Sequence, residues 1–303
     1  MLNLTDENRQ NQQLTLFDIP GQISIKTIVN VASVPQRSPF RYPGGKTWLI
    51  PTVRQWLKQN EKAALLIEPF AGGGIVSLTV AFEKLAGHVK MVEMDEDISA
   101  VWSIILSNKN KWLADKILSF NLTHDNIKAE LDKPNKLLHD IAFCTILKNR
   151  VFHGGILAKG SGMIKNGEKG KGLASRWYPQ TLHDRIRAIE FIKNKIDFIK
   201  GDAFEILEQN MDNHSAFFFL DPPYTIAGKR LYTYFNIDHE RLFKLTKQLK
   251  GKFMLTYDDT LEIRRLAEKN NLQFRTIPMK TTHHLKKNEM IISDNFNWWT
   301  DNY

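Results

Sequence analysis

The sequence predicts an α/β fold on a largely parallel sheet, and three observations carry that prediction. Short apolar runs of strand character alternate with segments of helical period along most of the chain. Two of those runs end in a carboxylate followed by a glycine-rich or proline-rich turn. Ligand-binding loops stand in that position at the carboxyl ends of strands in open α/β sheets. The last two runs, Phe274–Pro278 and Met290–Ser293, are placed to close the sheet as an antiparallel pair.

Each element can be justified in order. Residues 1–35, rich in Asn and Gln and without a sustained period, read as a flexible arm. Pro43-Gly44-Gly45 is a turn signal, and Trp48, Ile50, Val53 and Leu57 then follow a helical face. Ala64–Ile67 reads as a short buried strand that runs into Gly72-Gly73-Gly74 and an apolar helix ending near Leu85. Val89–Glu93 is a second strand, with Asp95 or Ser99 placed to open the next helix. Regularity breaks between residues 116 and 190. It resumes with strands at Ile196–Ile199, Ala216–Leu220 and Phe253–Thr256 and a helix at Leu261–Lys269. The expected organisation is an arm (1–35), a catalytic domain in two parts (36–115 and 191–303), and an insertion (116–190) between them. No internal repeat interrupts that plan.

Composition narrows the partners. The 303 residues carry 42 Lys+Arg against 33 Asp+Glu, a formal net charge of +9, which suits a polyanion such as nucleic acid or an anionic membrane. Between Lys148 and Arg187 stand nine of those cations against Glu168 and Asp184, together with seven of the 17 glycines. The rest of the chain is nearly balanced, so the basic character belongs to one insertion and the membrane reading loses its support. Gly154–Gly172 is too glycine-rich for a helix and reads as a long loop or irregular hairpin. A solvated surface loop is the plain alternative. Basic groups interleaved with Phe152, Trp177 and Tyr178 favour contacts to phosphates and bases instead. Arg150, His153, Lys159, Lys165, Lys169, Lys171 and Arg176 are the expected DNA-binding residues. Cys144, the one cysteine, excludes an intramolecular disulfide and reads as a buried thiol. No apolar run reaches the roughly 18–20 residues that span a bilayer, and the polar first twenty residues predict no secretory leader. A soluble, monomeric protein of a reducing compartment is expected, without a metal.

Two turns carry the chemistry. Asp221-Pro222-Pro223-Tyr224 follows the apolar strand Ala216–Leu220. It offers a carboxylate, a carbonyl from a stiff proline pair and an aromatic face, a set that suits a flat base bearing an amino group. Glu68-Pro69-Phe70-Ala71-Gly72-Gly73-Gly74 lacks the spacing of a dinucleotide fingerprint; its acid at the strand end suits a cationic ligand. Glu93 ends the next strand, where an acid commonly holds ribose hydroxyls.

Taken in order, Phe40-Arg41-Tyr42-Pro43-Gly44-Gly45-Lys46, the Glu68–Gly74 turn and Asp221–Tyr224 resemble the motifs of Dam-type (alpha class) DNA adenine-N6 methyltransferases. Asn149–Gly155 and Trp177-Tyr178-Pro179 loosely resemble the DNA-contacting hairpin of that family. The resemblance covers residues 36–303 and implies a Rossmann-like methyltransferase sheet with a smaller, mainly helical target recognition insertion. It implies S-adenosylmethionine as cofactor and double-stranded DNA as partner. Tyr42 and Lys46 would lie at the amino-acid end of the cofactor and near the active site. Glu68 with Phe70, Ala71, Gly72 and Gly74 would cradle its methionine portion. Glu93 would take its ribose and Asp202 would reach its adenine. Asp221, Pro222 and Tyr224 would hold a flipped-out target adenine. The chain has Asp95 where the family often has Asn, and its hairpin diverges from the Dam pattern, so no target sequence is implied. An inactive DNA-binding protein of the same fold, or a methyltransferase for RNA or for the cytosine amino group, are the alternative functions. In the arm, Gln13, Leu14, Leu16 and Phe17 resemble the short peptide by which bacterial replication and repair proteins dock on the sliding clamp.

Overall fold

The computed structural model describes residues 33–42, 44–134, 136–158, 160–167, 170–224, 236–280 and 286–300. A 3-10 turn at Lys46–Leu49 leads into α1 (Ile50–Gln59), β1 (Ala63–Glu68), α2 (Ile75–Glu83), β2 (Ala86–Glu93) and α3 (Glu96–Ile105). Four helices follow before the sheet resumes: α4 (Asn110–Ser119), α5 (His124–Asp132), α6 (Leu138–Val151) and α7 (Pro179–Ile189). Then come β3 (Ile196–Lys200), α8 (Ala203–Gln209), β4 (Ala216–Leu220), α9 (His239–Gln248), β5 (Lys252–Asp258), α10 (Leu261–Lys269), β6 (Gln273–Lys280) and β7 (Lys286–Ser293).

The seven strands form one sheet in the order β3-β2-β1-β4-β5-β7-β6. β1 to β5 pair in parallel, while β7 runs antiparallel to both β5 and β6. The expected α/β sheet with an antiparallel final pair is therefore present. Central strands read as continuous apolar runs because both faces are covered. In β4, Phe217 and Phe219 enter the core beneath α1, α2 and α3, while Phe218 and Leu220 enter the core beneath α8, α9 and α10. Each of these buried phenylalanines stabilises the sheet by about 1.5–3 kcal/mol.

The insertion shares the first of those cores. Ile117, Phe143, Ile146, Leu182 and Ile186 join the same apolar cluster as Trp56 and Trp102. A buried amide fastens the corner: Asn110 Nδ2 donates to the carbonyls of Ile105 and Ile186, each over 2.8 Å. After α6 the chain makes the expected irregular hairpin. A Phe152–Met163 bridge is flanked by Ile164 N donating to Val151 O (2.8 Å) and His153 N to Gly162 O (3.0 Å).

Trp177 corrects the sequence reading. It is buried and packs edge-on against Phe120 with ring centroids 6.0 Å apart, so it belongs to the core and offers no face to a base. No helix among the described residues is long and apolar enough to cross a membrane. Gln13, Leu14, Leu16, Phe17, Lys159 and Lys169 lie outside the described residues.

Candidate active site

Strand order decides where the site falls. From β1 the sheet grows toward β2 and β3 on one side and toward β4 and β5 on the other, so β1 and β4 flank the topological switch point. At their carboxyl ends stand Glu68 and Asp221. The register continues this edge outward, because Glu93 pairs with Lys200 and the chain then turns through Gly201 to Asp202. Four carboxylates from four strands thus line one side of a single cavity of about 580 Å³. Tyr42, Lys46, the Phe70–Gly74 turn, Glu93 and Asp202 line it together with Asp221 and Pro223. Pro222, between Asp221 and Pro223, is buried.

The glycine turn is shaped by its neighbours. Gly72 has φ +47°, and a Cβ there would lie 2.7 Å from the Tyr42 ring. Gly74 has φ +61°, and its Cβ would lie 2.7 Å from both Met91 Cε and Trp102 Cζ2. Trp102 Nε1 also donates to Gly72 O over 2.9 Å, fixing the turn against α3. Tyr42 therefore forms the lid of the turn, and only glycine fits beneath it.

Two acids meet this turn, and among the described residues neither forms an ion pair. Glu68 Oε2 accepts the Ser77 amide of α2 over 2.9 Å; burial pushes its carboxyl up to about 8, with the Ser77 bonds opposing that shift. Glu93 accepts the amides of Gly72 and Asp95, each over 2.9 Å, and burial pushes it up to about 7. Asp95 itself is committed to α3, accepting from the amides of Asp97 (2.9 Å) and Ile98 (3.2 Å) as its N-cap. Asp202 caps α8 in the same manner, accepting from Phe204 N over 2.6 Å.

At the other end, Lys46 and Asp221 form an ion pair, with Nζ 2.8 Å from Oδ1. Lys46 is only 3% exposed. Burial alone would lower its pKa, but the carboxylates of Asp221 and then Glu289 outweigh it and hold the ammonium above its usual range. Lys46 also lies over the Tyr224 ring, 5.0 Å from its centroid. Tyr224 stacks on Tyr257 at 5.6 Å, and the Tyr257 hydroxyl meets His239 Nδ1 at 2.6 Å.

The insertion contributes the opposite charge. Arg41, Arg150, Arg176 and Arg185 line the same cavity. Arg150 differs from the surface cation that the sequence suggests: it is buried and donates to the Pro39 carbonyl. Burial, then Arg185, Arg41 and Arg176, bring it down to about 10, so it is charged at neutral pH. Arg185 donates to Ser38 O over 3.0 Å, and Asn149 Nδ2 donates to the backbone of Arg41 over 2.9 Å. His153, Lys165 and Lys171 are exposed and away from the cavity wall. The sequence reading missed Arg41 and Arg185 as lining residues, and also Glu289, Thr256, Tyr257 and His239. Arg41 stands within the Phe40–Lys46 motif and was within reach; the others depend on strand register or helix placement.

The sheet order, with its antiparallel final pair, is the Rossmann-like sheet that the sequence predicts, and the carboxylate-lined turn stands at its switch point. Residues 42–135 and 143–287 match the D12 class N6 adenine-specific DNA methyltransferases, and the chain belongs to that family. Comparison with curated protein sequences returns no match. Among solved structures, the chain is similar to a SAM-dependent methyltransferase from Agrobacterium tumefaciens (8% identity, TM-score 0.39, covering 82% of this chain and 62% of that one). It is also similar to a precorrin-6y C5,15-methyltransferase from Geobacter metallireducens (11% identity, TM-score 0.35, covering 80% and 85%). The chain spans less than two thirds of the Agrobacterium protein.

The cavity suits S-adenosylmethionine. Its volume falls in the range of small-molecule sites. As the resemblance implies, Glu68 would meet an ammonium and Glu93 hydroxyls, and the glycine turn brings backbone close to the space between them. A pH dependence follows. Both carboxyls must be ionised to serve these partners, so binding draws off their protons and tightens as pH rises. Cofactor affinity is expected to be weaker at about pH 6 than at about pH 8.5 by roughly two to three orders of magnitude. Titration calorimetry in buffers of differing ionisation enthalpy measures both the affinity and the protons released. A flat profile would remove Glu68 and Glu93 from the binding set.

Proposed function

We propose that this protein methylates the exocyclic amino group of an adenine turned out of double-stranded DNA, by direct transfer. One observation carries the reading. A single cavity joins the cofactor acids Glu68 and Glu93, the carboxylate of Asp221 and four arginines of the motif and insertion segments. Arg150 and Arg185 are tied to the Pro39 and Ser38 carbonyls, and together with Arg41 and Arg176 they make this side of the cavity positive, which suits a strand of phosphodiesters.

The chemistry follows from the amino group. Its lone pair is delocalised into the purine ring, so the nitrogen is a poor nucleophile. Acceptance of its N–H bonds by the Asp221 carboxylate and the Pro222 carbonyl localises that pair outside the ring plane. S-adenosylmethionine, when bound, supplies the electrophilic methyl group. Asp221 is placed to receive the released proton, directly or through water. Tyr224, packed on Tyr257, is the aromatic contact for the base; such a contact is worth about 1–3 kcal/mol. The base must leave the duplex, because the reacting nitrogen is out of reach inside the stack. Cys144 takes no part: it is buried, donates to Glu130 O over 3.3 Å, and burial raises its thiol pKa.

With the methylated position mapped by sequencing, an oligonucleotide carrying 2-aminopurine there tests base extrusion. The expected result is a fluorescence rise on mixing with protein and cofactor; unchanged fluorescence alongside efficient methylation of the parent duplex would contradict it. The arm segment Gln13, Leu14, Leu16 and Phe17 is proposed to dock on the sliding clamp. A peptide of residues 10–20 showing no anisotropy change at about 100 μM clamp would end that reading.

A further inference from the structure

Asp221 is held from two sides, and both contacts fall on the same oxygen. Lys46 Nζ lies 2.8 Å from Oδ1, and the Thr256 hydroxyl donates to that atom over 2.8 Å. Among the described residues Oδ2 accepts no hydrogen bond. Thr256 is fully buried on β5. The parallel register pairs Leu220 with Leu255, which carries Thr256 alongside Asp221. The same hydroxyl lies 3.4 Å from Leu220 O, a longer and weaker contact.

The two donors differ in kind. Lys46 carries a point charge on a flexible stem, steadied by Gly44 O at 3.0 Å and faced by Glu289 at 3.9 Å. An ammonium attracts either oxygen of a carboxylate about equally, and the terminal torsion of Asp is broad. A hydroxyl on a central strand has a fixed origin and one proton. It selects one oxygen.

We infer that Thr256 is a positioning residue for methyl transfer, which with Lys46 occupies Oδ1 of Asp221 and thereby turns Oδ2 toward the amino group of the substrate. The inference rests on the proposed role of Asp221 as acceptor for that amino group. The carboxylate is then oriented before the base arrives, and no reorganisation accompanies the reaction. Without the hydroxyl, Asp221 follows Lys46, and the acceptor is misdirected in the transition state while the binding surfaces are untouched.

Three substitutions separate orientation from packing. Thr256→Val keeps the shape and removes the hydroxyl; Thr256→Ser keeps the hydroxyl and removes a methyl; Thr256→Ala removes both. Val and Ala are expected to lower kcat by about ten-fold, with cofactor affinity and KM for duplex DNA within about two-fold of wild type. Ser is expected to stay within about three-fold of wild-type kcat. A packing role alone predicts the reverse order, with Val near wild type and Ser as poor as Ala, and that order would overturn the inference. If Val does not fold, Ser and Ala decide: equal losses overturn it, and a high Ser value supports it. A wild-type protein that transfers no methyl to DNA would instead refute the proposed function, so the two failures are distinguishable.

Discussion

Asp221→Ala is expected to lower kcat by at least about 10³-fold while the cofactor still binds with near wild-type affinity. The acceptor that localises the amino lone pair disappears, and no other carboxylate replaces it. Glu289, 3.9 Å from the Lys46 ammonium, is buried and does not line the cavity. The cofactor acids Glu68 and Glu93 sit on β1 and β2 and keep their amide partners in the variant. Steady-state kinetics with labelled donor, paired with calorimetric binding, measures both quantities. Near wild-type turnover would show that another group accepts the amino proton. A parallel loss of cofactor affinity would place Asp221 in the donor site instead.

Gly74→Ala is expected to destabilise the fold by about 2–5 kcal/mol and to remove cofactor binding with it. Two costs add. Gly74 has φ +61°, the left-handed region, which charges a non-glycine residue about 1–2 kcal/mol. The new methyl also enters a closed space, because Met91 and Trp102 at 2.7 Å are both fully buried. Neither can swing into solvent, so the turn must shift, and with it the Gly72 carbonyl that Trp102 anchors. Overpacking of this kind costs about 1–3 kcal/mol. Gly162→Ala is the matched control, since a methyl there meets nothing within 4 Å. Denaturant unfolding of both variants checks the expectation; a loss below about 1 kcal/mol at Gly74 would show that the turn relaxes more easily than its packing implies.

Strands were legible because both faces of the sheet are covered. Ala216–Leu220 is apolar throughout and was read with its true bounds, while β2 begins three residues before the expected Val89. Gly87 hid that start. A Cβ there would lie 2.7 Å from the Ala64 carbonyl oxygen, so a residue that reads as a break is a close strand contact. Helix α9 escaped notice although Asp238 caps it, its amide partner being Arg241. Its polar face dominates the composition, and its apolar stripe of Leu242, Phe243 and Leu245 is short.

Within the site, residues in contiguous motifs were readable and residues brought in by register were not. Glu68, Glu93 and Asp221 stand at strand ends, where sequence order alone points to a ligand. Thr256 and Glu289 enter through pairing of β5 with β4 and β7, which no local pattern encodes. Arg150 and Trp177 looked like surface groups because charge and aromaticity suggest nucleic acid. Their burial is set by Pro39 and Phe120, each distant in sequence.

The measurement closest to the central claim is mass spectrometry of nucleosides released from duplex DNA after incubation with protein and isotopically labelled S-adenosylmethionine. The account predicts label in N6-methyladenine from the wild-type protein and its loss in Asp221→Ala. Label on cytosine, or on RNA while duplex DNA stays unmodified, would contradict it.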